Sequence, residues 1–416
     1  MSFGNASRRQ GWAFRGILAA LLLALVSVGA AQTVVTIGFS LPLTGGAAKE
    51  GTESKVGAEL AAQVINDAGG FKVGDQTVTL KLVFEDDLCS PQGAIDAASR
   101  LAVAGATFVG GSFCSSAALA EMPVLAALGI PQIAYAYADE LTTTARADAN
   151  AVLSARLGVQ ARNEMVPLAK YAVLENGDKT FFAMAQNTDF GRSMIKHFKA
   201  TVEALGGSLV AEPEYFAYAA TDFRTLLTKA KASGADAIVG IGLAQEMIGI
   251  LLQSDELGIT QTLYGSDLVS DVSVVSAVGQ QNVEGVYFPW YDDTGTAART
   301  FDRTAIEPGV QALLDAGERI LGITPGRNHG LGWGTVMLIK QAMERAGTTD
   351  PAATMQQVLS GQDFELSYGN YHFLQCGQAV LGAGVATFDS DGLLLVADRD
   401  YAFVEPVLLT EADLCN

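Results

Sequence analysis

Strand-like and helix-like segments alternate along the chain from residue 34 onward, and this alternation limits the fold more than any other feature. Residues 34–41 form an apolar run of strand length, whereas residues 53–67 have apolar positions at helical spacing and end at two glycines. Residues 77–84 alternate like a strand, and Ser90 followed by Pro91 is a typical helix start. Regular β-α-β alternation predicts parallel sheets with helices on both faces.

The same pattern continues through the middle of the chain. Ser115 opens a further predicted helix, residues 208–211 read as a strand, and Thr221 is the predicted cap of a helix that ends at Gly234. About ten strands result, which is more than one parallel sheet comfortably holds. We therefore expect two sheets and two lobes, with ligands bound beyond the carboxyl ends of the strands.

Breaks in the alternation predict the boundaries of the lobes. One break lies near residues 152–156, and a proline between aromatic residues interrupts the pattern at residues 288–291. After Phe364 the chain becomes glycine-rich and strand-like. We predict a first lobe of residues 32–154 and 292–364, and a second lobe of residues 155–291 and 365–416.

Residues 1–31 have the pattern of a cleavable signal peptide. Arg8, Arg9 and Arg15 precede or flank an apolar run of 12 residues, and small residues follow just before Gln32. A membrane anchor is the alternative, but the run is shorter than the ~20 residues that span a bilayer. No cysteine directly follows the cleavage zone, which disfavours a lipid anchor. We expect an exported, soluble protein, which is periplasmic in a bacterium with two membranes.

The acidic balance of the chain disfavours several partners. The sequence has 45 acidic and 26 basic residues, and loss of residues 1–31 removes three arginines and leaves a net charge of −22 (23 minus 45). A charge of this size disfavours nucleic acids and anionic membrane surfaces. With 49% hydrophobic and 17% charged residues, the composition is typical of a packed globular protein.

The four cysteines suggest disulfides, because their number is even and the chain is expected to be exported. Three pairings are possible, and four buried thiols are the alternative. We favour Cys89–Cys114 with Cys376–Cys415, since the first pair lies just past one predicted strand and at the end of the next. The spacing does not resemble a zinc site.

Motifs for catalysis and for cofactor binding are missing from the sequence. His197, His329 and His372 are far apart and have no metal-ligand spacing. Residues 110–116 contain serine and cysteine after a strand but lack the G-x-S-x-G pattern, and no phosphate loop is present. Residues 389–392 form a D-x-D-G turn without the glutamate of a calcium loop. We predict no enzyme activity, no cofactor and no metal site.

Three stretches together resemble a known family. They are VTIGFSLPLTGG at residues 35–46, EDDLCSP at residues 85–91 and FVGGSFCSS at residues 108–116, followed by DFG at 189–191 and LYGSD at 263–267. In this order and spacing the chain resembles the substrate-binding proteins of branched-chain amino acid ABC importers, over essentially its whole length after residue 31. The resemblance implies the periplasmic binding protein type I fold, with two doubly wound parallel-sheet α/β lobes joined by a three-segment hinge.

The resemblance also implies a disulfide at Cys89 and Cys114 and a carboxylate-binding wall. Ser115 matches a position that binds the ligand carboxylate, and its hydroxyl at a helix start suits that role, although a plain helix cap is the alternative. Residues 135–138 match the next carboxylate-binding segment, where Ala138 replaces a frequent threonine beside Ala136. One hydrogen bond is therefore missing there, or it comes from Tyr135 or Tyr137.

The opposite wall of the implied site carries an acid and departs from the family in its side chains. Asp267 matches an acidic residue that pairs with the ligand's α-ammonium group, with a helix cap for residues 272–278 or a solvated loop acid as the alternatives. Phe190 and Leu243 stand where the family has tyrosines, and Glu50 stands where an aromatic lines the side-chain pocket. Glu50 then either favours a polar or cationic group or points to solvent, and Trp333 lines either the pocket or the core.

These observations predict an extracytoplasmic substrate-binding protein of an ABC importer. It binds an amino acid or a related small carboxylate between its lobes, acts as a monomer and docks on an ABC permease at the membrane. The alternative is a ligand-binding sensor of the same fold that docks on a membrane signalling partner.

Overall fold

A computed structural model describes residues 1–2, 32–291, 307–403, 410 and 412–415. Apart from its first two residues, the predicted signal peptide of residues 1–31 lies outside the described residues, and so does the segment 292–306. Within the described part of the chain, none of the helices combines the length and the apolar character needed to cross a membrane.

Strands and helices alternate as the sequence predicts. In chain order the strands are β1 Gln32–Leu41, β2 Phe71–Val73, β3 Gln76–Asp86, β4 Phe108–Gly111, β5 Gln132–Ala134, β6 Ala155–Arg156, β7 Thr180–Gln186, β8 Ser208–Leu209, β9 Glu214–Phe216, β10 Ala237–Ile241, β11 Thr262–Gly265, β12 Phe288–Trp290, β13 Asp363–Leu366, β14 Gly369–His372, β15 Gly384–Asp389 and β16 Gly392–Ala397. The helices are α1 Ala48–Asp67, α2 Pro91–Val103, α3 Ser115–Ala127, α4 Thr144–Asp148, α5 Ala161–Leu174, α6 Asp189–Ala204, α7 Arg224–Ala232, α8 Ala244–Glu256, α9 Val272–Val278, α10 Pro308–Ala316, α11 Arg327–Ala346 and α12 Pro351–Val358.

The first sheet has the strand order β2-β3-β1-β4-β5-β6. All neighbours are parallel except β2 and β3, and β1 pairs with β3 in register from Gln32–Thr77 to Leu41–Asp86. Apart from Val34 near the start of β1, the apolar residues of β1 and β4 are buried, as expected for a parallel sheet covered on both faces. This order brings the carboxyl ends of β1, β4 and β5 to one edge.

The second sheet has the order β11-β10-β7-β8, and β9 also pairs with β7. The pairs within it are parallel. Thr188 caps α6, since its hydroxyl accepts a hydrogen bond from the Gly191 N–H, which places this helix start at the end of β7. Two separate parallel sheets confirm the predicted two-lobed α/β fold.

Helix α11 packs along α1 and so belongs to the layer beside the first sheet. Two glycines allow this close approach: a Cβ atom at Gly57 would clash with the backbone of His329, and one at Gly332 would clash with the backbone of Ser54. The packing fixes Arg327, the first residue of α11, at the edge where the first sheet faces the second.

The remaining strands form two small antiparallel sheets, β12-β15-β16 and β13-β14. The β13–β14 hairpin packs against α11. The predicted lobe limits, 32–154 with 292–364 and 155–291 with 365–416, remain a proposal.

Candidate ligand-binding cleft

A narrow cleft lies where the carboxyl ends of the two sheets face each other. The side chains around it come from both lobes and are mostly apolar or hydroxyl-bearing: Cys89, Phe113, Cys114, Ser115, Ser116, Tyr137, Gln186, Thr188, Phe190, Leu243, Asp267 and Leu268. Four of the predicted ligand-binding residues, Ser115, Phe190, Leu243 and Asp267, are therefore brought together.

Ser115 forms the polar part of the first wall. It is the first residue of α3, directly beyond β4, and is only 2% exposed. Its Oγ accepts hydrogen bonds from the backbone N–H groups of Tyr137 at 3.3 Å and Ala138 at 3.2 Å. The hydroxyl hydrogen therefore stays available as a donor, next to the unpaired N–H groups and positive dipole end of a helix start. This arrangement suits a carboxylate.

The segment 135–138 contributes to the cleft through one side chain. Tyr137 lines the cleft, whereas the Tyr135 hydroxyl lies 2.7 Å from Thr335 Oγ1 in the interior of the first lobe. Ala136 and Ala138 lie outside the cleft lining, and their carbonyl oxygens accept hydrogen bonds from Arg156 at 3.2 and 2.6 Å. Sequence reasoning did not identify Arg156, which holds this segment in place.

Both favoured cysteine pairs are bonded. Cys89 and Cys114 have Cα atoms 5.3 Å apart, and Cys376 and Cys415 have Cα atoms 5.8 Å apart. The first disulfide lines the cleft and ties the end of the β3 loop to the start of α3. It therefore fixes the position of Ser115 relative to the first sheet.

The second wall is apolar around Phe190 and Leu243. The ring of Phe190 meets that of Tyr137 edge to face across the cleft, with centroids 5.5 Å apart. Beside them, Gln186 Nε2 donates to both carboxylate oxygens of Glu246, at 2.9 and 2.8 Å. The amide of Gln186 is thus occupied within the second lobe, and the surface left for a ligand is hydrophobic.

Asp267 follows β11 and is 3% exposed. Its Oδ2 forms an ion pair with Arg327 and accepts hydrogen bonds from the hydroxyls of Tyr137 at 3.0 Å and Tyr291 at 3.2 Å. Burial raises the pKa of Tyr137 to about 12, so this hydroxyl stays protonated. Oδ1 of Asp267 has no hydrogen-bond partner among residues 32–291 and 307–403.

Sequence reasoning missed Arg327, because no local sequence pattern places it at the cleft. A cation at a helix N-terminus opposes the helix dipole, so a buried arginine there requires nearby anions or acceptors. Besides Asp267, Arg327 Nη1 donates to the hydroxyls of Tyr137 at 2.7 Å and Tyr291 at 2.9 Å. Glu164 and Glu50 are further acids close to this group, and burial raises the pKa of both against the attraction of Arg327, that of Glu164 to about 8.

Glu50 and Trp333 lie away from the cleft lining. Glu50 is 2% exposed in the first turn of α1, so it does not point to solvent, and burial raises its pKa. Trp333 is buried and lines a different cavity, together with residues of α1 and α10. Neither side chain fills the pocket position that the family resemblance implies.

Polar contacts join the two lobes across the cleft. Ser116 Oγ donates to Asp189 Oδ2 at 2.6 Å, and Lys49 Nζ lies 2.7 Å from Asp271 Oδ2. Together with the ion pair between Arg327 and Asp267, these contacts hold the two walls of the cleft close together.

The sequence resembles those of known proteins over most of its length. The sequence model of a family described as "Periplasmic binding protein" matches residues 34–392. A Leu/Ile/Val-binding protein homolog 3 of Brucella melitensis is 28% identical over 350 residues, which cover 84% of this chain and 89% of the relative.

Solved structures show the same fold. A branched-chain amino acid transporter substrate-binding protein from Streptococcus pneumoniae, in complex with isoleucine, superposes with a TM-score of 0.73 at 22% identity, covering 88% of this chain and 100% of that one. A solute-binding protein of an ABC transporter from Rhodopseudomonas palustris, in complex with benzoate, superposes with a TM-score of 0.74 at 18% identity, covering 88% and 96%.

Proposed function

Because this chain belongs to the periplasmic binding protein family, we propose that it captures an amino acid or a related small carboxylate and delivers it to an ABC importer. The observation that carries the proposal is the pairing of Ser115, at a helix start in one lobe, with the apolar wall of Phe190 and Leu243 in the other. A carboxylate at Ser115 would orient a ligand so that its apolar part meets that wall.

Ligand binding would act through closure of the lobes. Each lobe supplies part of the site, so a ligand that contacts both walls binds the closed form more tightly than the open form. The closed form is then the state that a membrane permease recognises. The relatives named as Leu/Ile/Val-binding proteins and the solved complexes with isoleucine and benzoate support a small carboxylate as the ligand class.

The first test is a thermal-shift screen of the exported protein against amino acids and small carboxylates, followed by calorimetry on the hits. A ligand at 100 times its Kd should stabilise the protein by about 2.7 kcal/mol. Ser115→Ala should weaken binding by about tenfold or more, because it removes a hydroxyl donor from a buried carboxylate. Ser99→Ala is the matched control, since Ser99 lies on the outer side of α2 and, within the part of the chain that the structure describes, its hydroxyl bonds only to the Ile95 carbonyl.

Uptake measurements then test the transport role. A strain lacking this gene should lose uptake of the radiolabelled ligand, and the wild-type protein should restore it while Ser115→Ala should not. Failure of every amino acid and carboxylate to bind would refute the proposal. Tight binding with unchanged uptake would favour the sensor role instead.

A further inference from the structure

The acid expected to receive a ligand ammonium group is already paired within the protein. We infer that the ligand is a small apolar carboxylate that carries at most a neutral hydroxyl, and no ammonium group, where it faces Asp267. This inference rests on the proposed function and narrows its ligand class. Arg327 is then the residue that sets the specificity.

The ion pair between Arg327 and Asp267 joins the two lobes, and Oδ2 of Asp267 has no room for a further donor. Oδ2 of Asp267 receives Arg327 and the hydroxyls of Tyr137 and Tyr291, so three donors converge on it. The side chains of Arg327 and Asp267 are 11% and 4% exposed, so water screens the pair little. Only Oδ1 remains without a partner among the described residues, and it can accept a further donor.

An ammonium group fits this environment poorly. It carries three donor hydrogens, whereas the acid offers one unoccupied oxygen, and donors that stay unpaired in a buried site cost binding free energy. It would also place a second positive charge on a carboxylate that Arg327 already neutralises, and like charges repel strongly where water is excluded. A hydroxyl brings one donor hydrogen and no charge, and therefore matches Oδ1.

Two further buried acids lie near Arg327, namely Glu164 and Glu50, and burial raises the pKa of both. Both carboxylate oxygens of Glu164 are buried without a hydrogen-bond partner among the described residues. Because burial raises the pKa of Glu164 to about 8, this group is mostly protonated at pH 7. Arg327 therefore neutralises Asp267, and Glu164 adds little negative charge before a ligand enters.

Two matched ligand series test this inference by calorimetry at pH 7. The first is L-leucine, 2-hydroxy-4-methylpentanoate and 4-methylpentanoate, and the second is L-phenylalanine, 3-phenyllactate and 3-phenylpropanoate. Within each series only the group next to the carboxylate changes, from ammonium to hydroxyl to hydrogen. The hydroxy or unsubstituted acid of at least one series should bind at least about tenfold more tightly than its amino acid.

An amino acid that binds as tightly as its hydroxy partner, or more tightly, overturns the inference and leaves the proposed function intact. Binding by no member of either series, nor by any carboxylate of the wider screen, refutes the proposed function and the inference with it. The two failures are therefore distinguishable.

Arg327→Met tests whether this arginine sets the preference. Removal of the guanidinium leaves Asp267 charged and buried, so the ratio of amino acid to hydroxy acid affinity should rise by about tenfold or more. Arg224→Met is the matched control, because Arg224 lies on the surface of the second lobe and pairs with Asp222 and Glu256. An unchanged ratio in a folded Arg327→Met protein would overturn the role of Arg327, and if that variant does not fold, the wild-type series still decides on the ligand class.

Discussion

Replacement of Arg156 by methionine should weaken both the fold and the cleft, although Arg156 does not touch the cleft. The side chain is fully buried. It donates hydrogen bonds to Ala138 O at 2.6 Å, Gln378 Oε1 at 2.7 Å, Thr142 Oγ1 at 2.7 Å and Ala136 O at 3.2 Å. It therefore ties the segment that carries Tyr137 to a distant part of the chain.

Two opposing effects determine the size of the loss. A hydrogen bond from a charged donor contributes about 1.5–3 kcal/mol, and four acceptors lose their donor in the variant. Burial of the charged guanidinium opposes the stabilisation from these hydrogen bonds, because the charge loses its hydration. The same desolvation lowers the pKa of Arg156 to about 10. We expect a net loss of about 3 kcal/mol in the free energy of unfolding, as is typical when one partner of a buried charged network is removed.

Urea denaturation of the ligand-free protein measures this loss as a lower midpoint at an unchanged m-value. Arg146→Met is the control, because Arg146 is more exposed and, among the described residues, donates only to Val152 O at 2.8 Å and Gln375 O at 3.4 Å, so about 1 kcal/mol is expected there. Ligand affinity should fall in Arg156→Met but not in the control. A midpoint for Arg156→Met equal to that of Arg146→Met would refute the reasoning.

Three further changes have distinct expected outcomes. Burial raises the pKa of Glu121 from 4.5 to about 8, so the folded state binds this proton more tightly than the unfolded state does. The free energy of unfolding should therefore fall as the pH rises from about 5 to 8, by at most ~1.4 kcal/mol per pH unit. In urea titrations at several pH values, Glu121→Gln should show a shallower fall. Serine substitution of the Cys89–Cys114 pair should lower the free energy of unfolding by about 3.5 kcal/mol and weaken ligand binding. Serine substitution of the Cys376–Cys415 pair should lower it by about 4 kcal/mol and leave the ligand affinity unchanged. Equal ligand affinities of the two variants in calorimetry would contradict this. Asp189→Asn weakens the hydrogen bond from Ser116 that joins the lobes, so the ligand should dissociate about threefold faster in stopped-flow measurements. The free energy of unfolding in urea should change by less than about 0.5 kcal/mol. An unchanged dissociation rate would argue against a role of this contact in closure.

The apolar periodicity of the sequence was sufficient to predict the two-lobed α/β fold. It did not predict where some helices begin, because contacts with distant residues decide those positions. The predicted strand at residues 34–41 is β1, but the helix predicted at residues 53–67 begins at Ala48, because its first turn has no apolar periodicity to reveal it. Thr221 does not cap α7, which begins at Arg224 instead. There the side chain of Gln253, from α8, accepts a hydrogen bond from the Phe223 N–H at 2.6 Å, and this contact outweighs the local signal.

The cleft shows the same limit in its chemistry. Ser115 and Asp267 could be predicted because each follows a strand of a parallel sheet, and such ends meet at one edge. Arg327 could not, because α11 reaches that edge through its packing on α1, which no local pattern encodes. A cation at a helix start is stable only when acceptors compensate for the dipole, and here Asp267 and two tyrosine hydroxyls do so. Asp267 is therefore occupied by Arg327 and is no longer available for the ammonium group of an amino acid. The same carboxylate at the same strand end would bind an amino acid without this arginine, and with it favours a carboxylate that has no ammonium group.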